Sequence, residues 1–252
     1  MNTIEKKDIF GISINVLKYE DVLNFYLDSL RNAETPKTIY FLNAHCYNIA
    51  QKNKQYKDSL NQADLLLNDG IGVKIASKLA GINFQSNMNG TDLIPFLLEE
   101  TAKLPFKVYL IGAKEGYAED AKSRLLSEHQ DLNIIGCNSG YFKDRADEER
   151  VIAEINRLET DVLVVGMGVP IQELWIHENK SKLSKVKIIL AGGAIIDRLS
   201  GRLKRAPRWV RAIEMEWLYR LIQEPKRLAK RYLIGNFVFC YSILLKYFRL
   251  SK

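Results

Sequence analysis

The sequence predicts an α/β protein: an open, mostly parallel sheet flanked by helices, with a basic amphipathic helical appendage at the carboxyl end. Two observations carry this. Short apolar runs rich in β-branched residues alternate with longer stretches whose apolar residues fall at helical spacing. The excess positive charge, in turn, is confined to the last fifth of the chain.

Taken in order, the predicted strands are residues 9–16, 38–42, 65–67, 108–111, 134–137, 162–165 and 186–190. The clearest amphipathic stretches are residues 19–30, 116–128, 148–158 and 172–183, and a further helical pattern opens at Ile71. Leu65, Leu66 and Leu67 read as a strand buried on both faces, which suits a parallel sheet covered by crossover helices. The order therefore predicts a Rossmann-like body over residues 1–201 and an appendage over residues 202–252.

Composition narrows the function. A chain of 252 residues with 47% hydrophobic content is long enough for a substantial core. Cys46, Cys137 and Cys240 form no C-x-x-C pair, so neither a disulfide framework nor a structural zinc is expected, and a reducing, cytoplasmic setting is. Charges interrupt the amino-terminal segment, so a cleaved export leader is not expected. From Arg202 onward there are 13 Lys or Arg against 3 Glu, a local +10; residues 1–201 hold 24 Lys or Arg against 27 Asp or Glu, a net −3. Such a split points to an anionic partner for the appendage: membrane lipid, nucleic acid or a phosphorylated substrate.

Several chemistries lack their signatures. There is no G-x-x-x-x-G-K-[ST], no G-x-S-x-G and no D-x-D pair, and "GMGVPIQ" lacks the third glycine and the first-strand position of a dinucleotide fingerprint. No metal is expected, so backbone amides and Arg or Lys must neutralise any bound anion.

In open α/β sheets ligands gather beyond the carboxyl ends of the strands. The residues there include Asn43, Asn68, Asp69, Gly112, Tyr141 and Gly168, which are the first candidates for substrate contact. Asn43 and Asp69 are also of the type that caps helices, and on local chemistry alone Asp69 reads as a cap for the turn at Gly70-Ile71. His45, His129 and His177 are scattered and are not expected to be catalytic.

In the appendage, Trp209, Ile213, Trp217, Leu218 and Leu221 share one helical stripe, and Pro225 suits the first turn of a second helix, making a hairpin or bent pair. The uncharged run at residues 232–245 is shorter than the roughly 20 residues that cross a bilayer. It is expected to lie in the membrane interface, with Phe237, Phe239, Tyr241, Ile243 and Leu244 in the acyl boundary and Lys230 and its basic neighbours at anionic headgroups. The competing reading packs these helices on the body or on a second copy in a homo-oligomer. Nucleic acid is not expected, because bulky aliphatics interrupt the basic residues and no recognition motif is present.

A set of segments then converges: "LNA", "LLLNDGIGVKIASKLAG", "NGTDLIP", "VYLIGAKEG", "SGYF", "VLVVGMGVPIQELWI", "AGGAIIDRLSGRLKRAPRW" and "EMEWLYRLIQEPKRLAKR". Together they resemble the WecG/TagA/CpsF glycosyltransferases over about the whole chain. The resemblance implies an inverting, metal-independent transfer of a hexose, typically N-acetylmannosamine or its uronic acid, from a UDP donor to an undecaprenyl-diphosphate-linked sugar. It implies work at the inner face of the membrane in teichoic acid, common antigen, capsule or exopolysaccharide synthesis, on a Rossmann-like body whose basic appendage completes the site. By the same resemblance Asp69 is the catalytic base, with Asn43, Gln172, Asp197, Arg220, Arg227 and Arg231 around the substrates. The arginines suit the diphosphate of either donor or acceptor. Two positions depart from the pattern: Phe41 stands where many members have Thr, and Asn87 where many have Arg. Both bear on the choice of donor sugar. The rival from another class is a non-catalytic lipid-binding or assembly module anchored by its tail.

Overall fold

A computed structural model describes residues 4–250; residues 1–3, 251 and 252, the outer ends of the two predicted segments, lie outside the described residues. The chain opens with β1 (Lys6–Asp8) and β2 (Ser13–Asn15), an antiparallel pair. The expected single strand over residues 9–16 is thus a hairpin. Phe10 and Gly11 turn at φ of 50° and 91°, and the Asp8 carboxylate accepts from the Gly11 N–H at 2.9 Å, so local turn chemistry overrides the apolar alternation.

Next come α1 (Tyr19–Asn32), β3 (Lys37–Leu42), α2 (Ala44–Ala50), α3 (Lys54–Asn61), β4 (Leu65–Asn68), α4 (Ile71–Leu79) and α5 (Gly90–Ala102). Periodicity does not single out α2, α3 or α5, but their caps are written in the sequence. Asn43, Asn53 and Asn89 each accept backbone N–H groups with their side-chain oxygen at the helix start. The second half is regular: β5 (Val108–Gly112), α6 (Tyr117–Glu128), β6 (Ile134–Asn138), α7 (Arg145–Arg157), β7 (Val162–Gly166), α8 (Ile171–Asn179), β8 (Ile188–Ala191) and α9 (Ile195–Leu199).

The six strands β3 to β8 form one parallel sheet in the order β4-β3-β8-β7-β5-β6. Alternate residues of each strand enter two apolar layers. Leu163 and Val165 join one and Val162 and Val164 the other, as expected for strands buried on both faces. The crossovers leave every carboxyl end on one edge, where β3 and β4 bring Asn43 and Asp69 side by side.

Beyond α9 lie α10 (Arg208–Ala212), α11 (Glu216–Gln223), α12 (Pro225–Ala229) and α13 (Gly235–Leu250), with a π-helical segment Lys230–Ile234 joining the last two. Pro225 does sit in the first turn of its helix. The helical run Pro225–Arg249 spans 25 residues and is apolar and long enough to cross a bilayer by length and composition, so the expected run of 14 understated it. It is nonetheless docked. Phe239 is 3% exposed and lies edge-on to Tyr47, with Ile243 beside it in the core layer, while Lys246 donates to the Phe10 carbonyl and to Gln51. Phe239 and Ile243 therefore face the body and not a membrane, because helical periodicity turns them away from Phe237, Tyr241 and Leu244, which are exposed. The Trp209 stripe also divides: Trp209, Ile213 and Leu218 are exposed, whereas Trp217 and Leu221 are half-buried.

Candidate active site

A cleft of about 870 Å³ opens along the carboxyl edge of the sheet, closed on one side by the appendage. That is within the usual range for a small-molecule site. Asp69 stands on its wall. The buried strand β4 delivers it, and its N–H extends the ladder by donating to the Leu42 carbonyl at 2.8 Å. Asn43 faces it and has two tasks. Its Oδ1 caps α2 by accepting from the His45 and Cys46 N–H groups at 3.1 Å, and its Nδ2 donates to Asp69 Oδ2 at 3.2 Å. Asp69 Oδ1 has no hydrogen bond among the described residues and remains for a ligand.

The expected capping role of Asp69 is not seen. Gly70, at φ 82°, begins α4 without a side-chain cap of its own, and its N–H donates instead to Asn87 Oδ1 at 3.3 Å. Only a residue tolerant of positive φ makes that turn comfortably, which explains the glycine after the aspartate. Burial raises the Asp69 carboxyl above its ordinary range. The Asn43 hydrogen bond and the charges of Arg220 and Arg231 pull the other way without cancelling it.

The appendage arginines close the cleft. The Nε atoms of Arg220 and Arg231 are buried and have no hydrogen-bond partner among the described residues. Guanidinium groups left unsatisfied in a polar cleft are suited to an anion. Arg227 instead grips Glu224, its Nε 2.8 Å from Oε1 and its Nη2 on Oε2. Beside this pair sits Asp197, whose carboxyl burial pushes up while Arg227 and Arg220 hold it down. Arg220 therefore belongs to both the Asp69 and the Asp197 surroundings. Among the described residues no three His, Cys, Asp or Glu side chains gather in the manner of metal ligands.

Gln172 lines the cleft but is committed inward. Its Oε1 accepts from the Gly193 N–H at 2.9 Å and its Nε2 donates to Glu173 Oε1 at 2.7 Å, so it fixes the turn after β8. Gly168 and the exposed Tyr141 line the opposite wall, and Lys230 the mouth.

Two expected contacts are not there. Asn68 is buried and its amide donates to the Ser86 carbonyl at 3.0 Å, because strand alternation turns it away from the face that Asp69 occupies. Gly112 packs on the Gly166 backbone, where a Cβ would approach to 2.5 Å, so its small size serves strand packing. Its neighbour Ala113 reaches the cleft instead.

Other residues that were not among the expected substrate contacts also line the cleft. His45 is held neutral near pH 7, its pKa lowered to about 4 by burial and the charge of Arg231. Burial pushes the Glu173 carboxyl up to about 7, against the hydrogen bond from Gln172. Arg198, Arg202 and Lys114 add positive charge to the walls. The adjacent "QE" was a usable signal for Glu173, and the place of His45 two residues after the strand-end Asn43 was one for it. Of the departing positions, Phe41 lines the floor with its ring about 3.0 Å from where a Cβ on Gly90 would stand, and Asn87 holds the Gly70 turn.

The chain is 33% identical over 228 residues to a Bacillus subtilis (strain 168) protein named N-acetylglucosaminyldiphosphoundecaprenol N-acetyl-beta-D-mannosaminyltransferase, covering 90% of this chain and 86% of that one. Proteins of the same name from Bacillus spizizenii and Staphylococcus aureus (strain MRSA252) are 32% and 28% identical, covering 80% and 93% of this chain and 76% and 91% of theirs. The family profile matches residues 7–252, and the chain thus belongs to the glycosyl transferase WecG/TagA/CpsF family.

Proposed function

We propose that this glycosyltransferase moves N-acetylmannosamine or a closely related hexose from a UDP donor to a polyprenyl-diphosphate-linked saccharide, inverting the anomeric centre. The names of the relatives support the acceptor class and the sugar. One observation carries the mechanism: Asp69 has one carboxylate oxygen fixed by Asn43 and the other open to a cleft whose arginines are unsatisfied.

In the step proposed, the acceptor hydroxyl attacks the anomeric carbon, the bond to the UDP oxygen breaks, and UDP leaves with the electron pair. The hydroxyl proton goes to Asp69 Oδ1. Raised basicity favours that transfer, while the charges of Arg220 and Arg231 oppose the rise and favour the ionised carboxylate. Negative charge growing on the departing diphosphate meets Arg220, Arg231 and the strand-end amides, so no metal is needed in this scheme. Arg227, held by Glu224 beside Asp197, lines the same cleft. The reading makes residues 202–252 part of the active site and not only an anchor.

The exposed Phe237, Tyr241 and Leu244 support a peripheral seat on the inner face of the membrane, with Lys230 toward anionic headgroups. The docked Phe239 and Ile243 favour a helix lying along the surface over one that crosses it. The test is a panel of UDP-sugars assayed for transfer to an alkyl-diphosphate-GlcNAc. UDP-N-acetylmannosamine or a near relative should be consumed with UDP released and a disaccharide formed; no transfer from any donor would refute the reading.

A further inference from the structure

A second group of arginines lies beside the cleft, and one of them, Arg198, is on its wall. Arg198 on α9, Arg205 in the following segment and Arg211 on α10 converge on the first turns of α5 and α11. Arg205 and Arg211 both pair with Asp92, the latter at 3.6 Å, and Arg198 Nη2 donates to Glu216 at 2.8 Å. Three guanidiniums thus share these two carboxylates, and Arg198 also feels the charges of Arg220 and Arg205. The supply of donors exceeds the supply of acceptors. Arg198 Nη1, Arg205 Nε and Arg211 Nε are buried with no hydrogen-bond partner among the described residues, and the Arg198 side chain is only 10% exposed. Burying several guanidiniums with idle donors costs stability unless an anion completes them.

We infer that this cluster is the subsite for the acceptor's lipid diphosphate, separate from the Arg220–Arg231 pair that faces the donor. The inference rests on the proposed function. Three features favour the acceptor over the donor. Arg198 reaches the cleft wall, whereas Arg205 and Arg211 lie outside it, toward the appendage surface. On α10, Arg211 turns inward while Trp209 and Ile213, 69% and 59% exposed, form an apolar ledge where a prenyl chain leaving the diphosphate can lie. Glu216, which Arg198 holds, also acts on Asp69, so the cluster adjoins the base. Asp92, kept ionised below its ordinary range because Arg205, Asn89 and Arg211 outweigh its burial, holds the arginines in place while the site is empty.

The test compares two acceptors, an alkyl-diphosphate-GlcNAc and an alkyl GlcNAc glycoside without phosphate, with Arg205→Gln, Arg211→Gln and the charge-keeping Arg205→Lys and Arg211→Lys. Each Gln variant should raise KM for the diphosphate acceptor about 10- to 100-fold, as expected for a lost charge-assisted contact. KM for the glycoside and the dissociation constant for UDP should stay within about twofold, and Lys should restore part of the loss. Equal losses with both acceptors, or weakened UDP binding with the acceptor KM unchanged, would overturn the assignment. A companion measurement needs no variant: an alkyl diphosphate should bind the wild-type chain with saturating UDP in place, and mutual exclusion of the two would contradict a separate subsite. Failure of every UDP-sugar in transfer would strike the proposed function instead, leaving the binding result to judge the subsite.

Discussion

At the residue scale, Asp69 is held in an environment that does not favour its charge, and that has a consequence for stability. Its folded pKa is raised, so the folded state disfavours ionisation more than the unfolded chain does. The associated stability is present below the unfolded value and is lost as pH rises through the folded one. Asp69→Asn should therefore raise resistance to urea at pH 7.5, and the gain should shrink as pH falls to well below 3.8, the ordinary value, where both states hold the proton; a gain independent of pH would show that the carboxylate is not strained. Asn43→Ala should cost on the order of 1 kcal/mol through the lost cap of α2 and should also depress turnover by freeing Asp69 Oδ2. A stability loss with turnover unchanged would separate the cap from the catalytic support. The pair was legible in the sequence because strand ends are where ligands gather. The orientation of Asn68 was not: it depends on which strand residue is the last to alternate, a boundary that periodicity does not fix.

At the element scale, the decisive piece is the long helix that starts at Pro225. Its apolar residues gave no warning of which face was wanted by the body, since Phe237, Phe239 and Tyr241 look alike as types. Only the arrangement of α2 and α4, with Tyr47 and Gly72 making a seat for the Phe239 ring, decides it. Removing a buried Phe side chain typically costs about 3–5 kcal/mol, and here part of that can be met by undocking the helix without unfolding the sheet. Phe239→Ala should thus speed proteolysis within residues 226–231 and lower turnover more than it lowers the thermal midpoint. A variant as active and as protease-resistant as the parent would remove the helix from the site. Cutting the chain after Gly201, by the same argument, uncovers Tyr47 and the α2 face, so a truncated body is expected to be less stable as well as inactive.

At the scale of the whole molecule, the charge split seen in the sequence becomes a spatial arrangement. A near-neutral sheet presents one polar edge, and the basic appendage folds over that edge with some arginines turned in and its aromatic side turned out. The parallel sheet, the strand-end site and the appendage were all foreseeable from alternation and charge. The hairpin at the amino end and the docking of the last helix were not, because each is decided by a turn or a tertiary seat that a periodic pattern does not encode. The outward face makes a separable prediction. Phe237→Ser with Leu244→Ser should weaken binding to anionic vesicles while leaving the thermal midpoint and turnover of a water-soluble acceptor nearly unchanged. Unaltered vesicle binding would place the membrane contact elsewhere.

The central claim is that Asp69, fixed by Asn43 and facing unsatisfied arginines, takes the acceptor proton. The most direct measurement is single-turnover transfer by Asp69→Asn, with UDP binding measured on the same preparation. A folded variant that binds UDP as the parent does but transfers sugar about 10²- to 10⁴-fold more slowly is the predicted result. Transfer at the parental rate would contradict it.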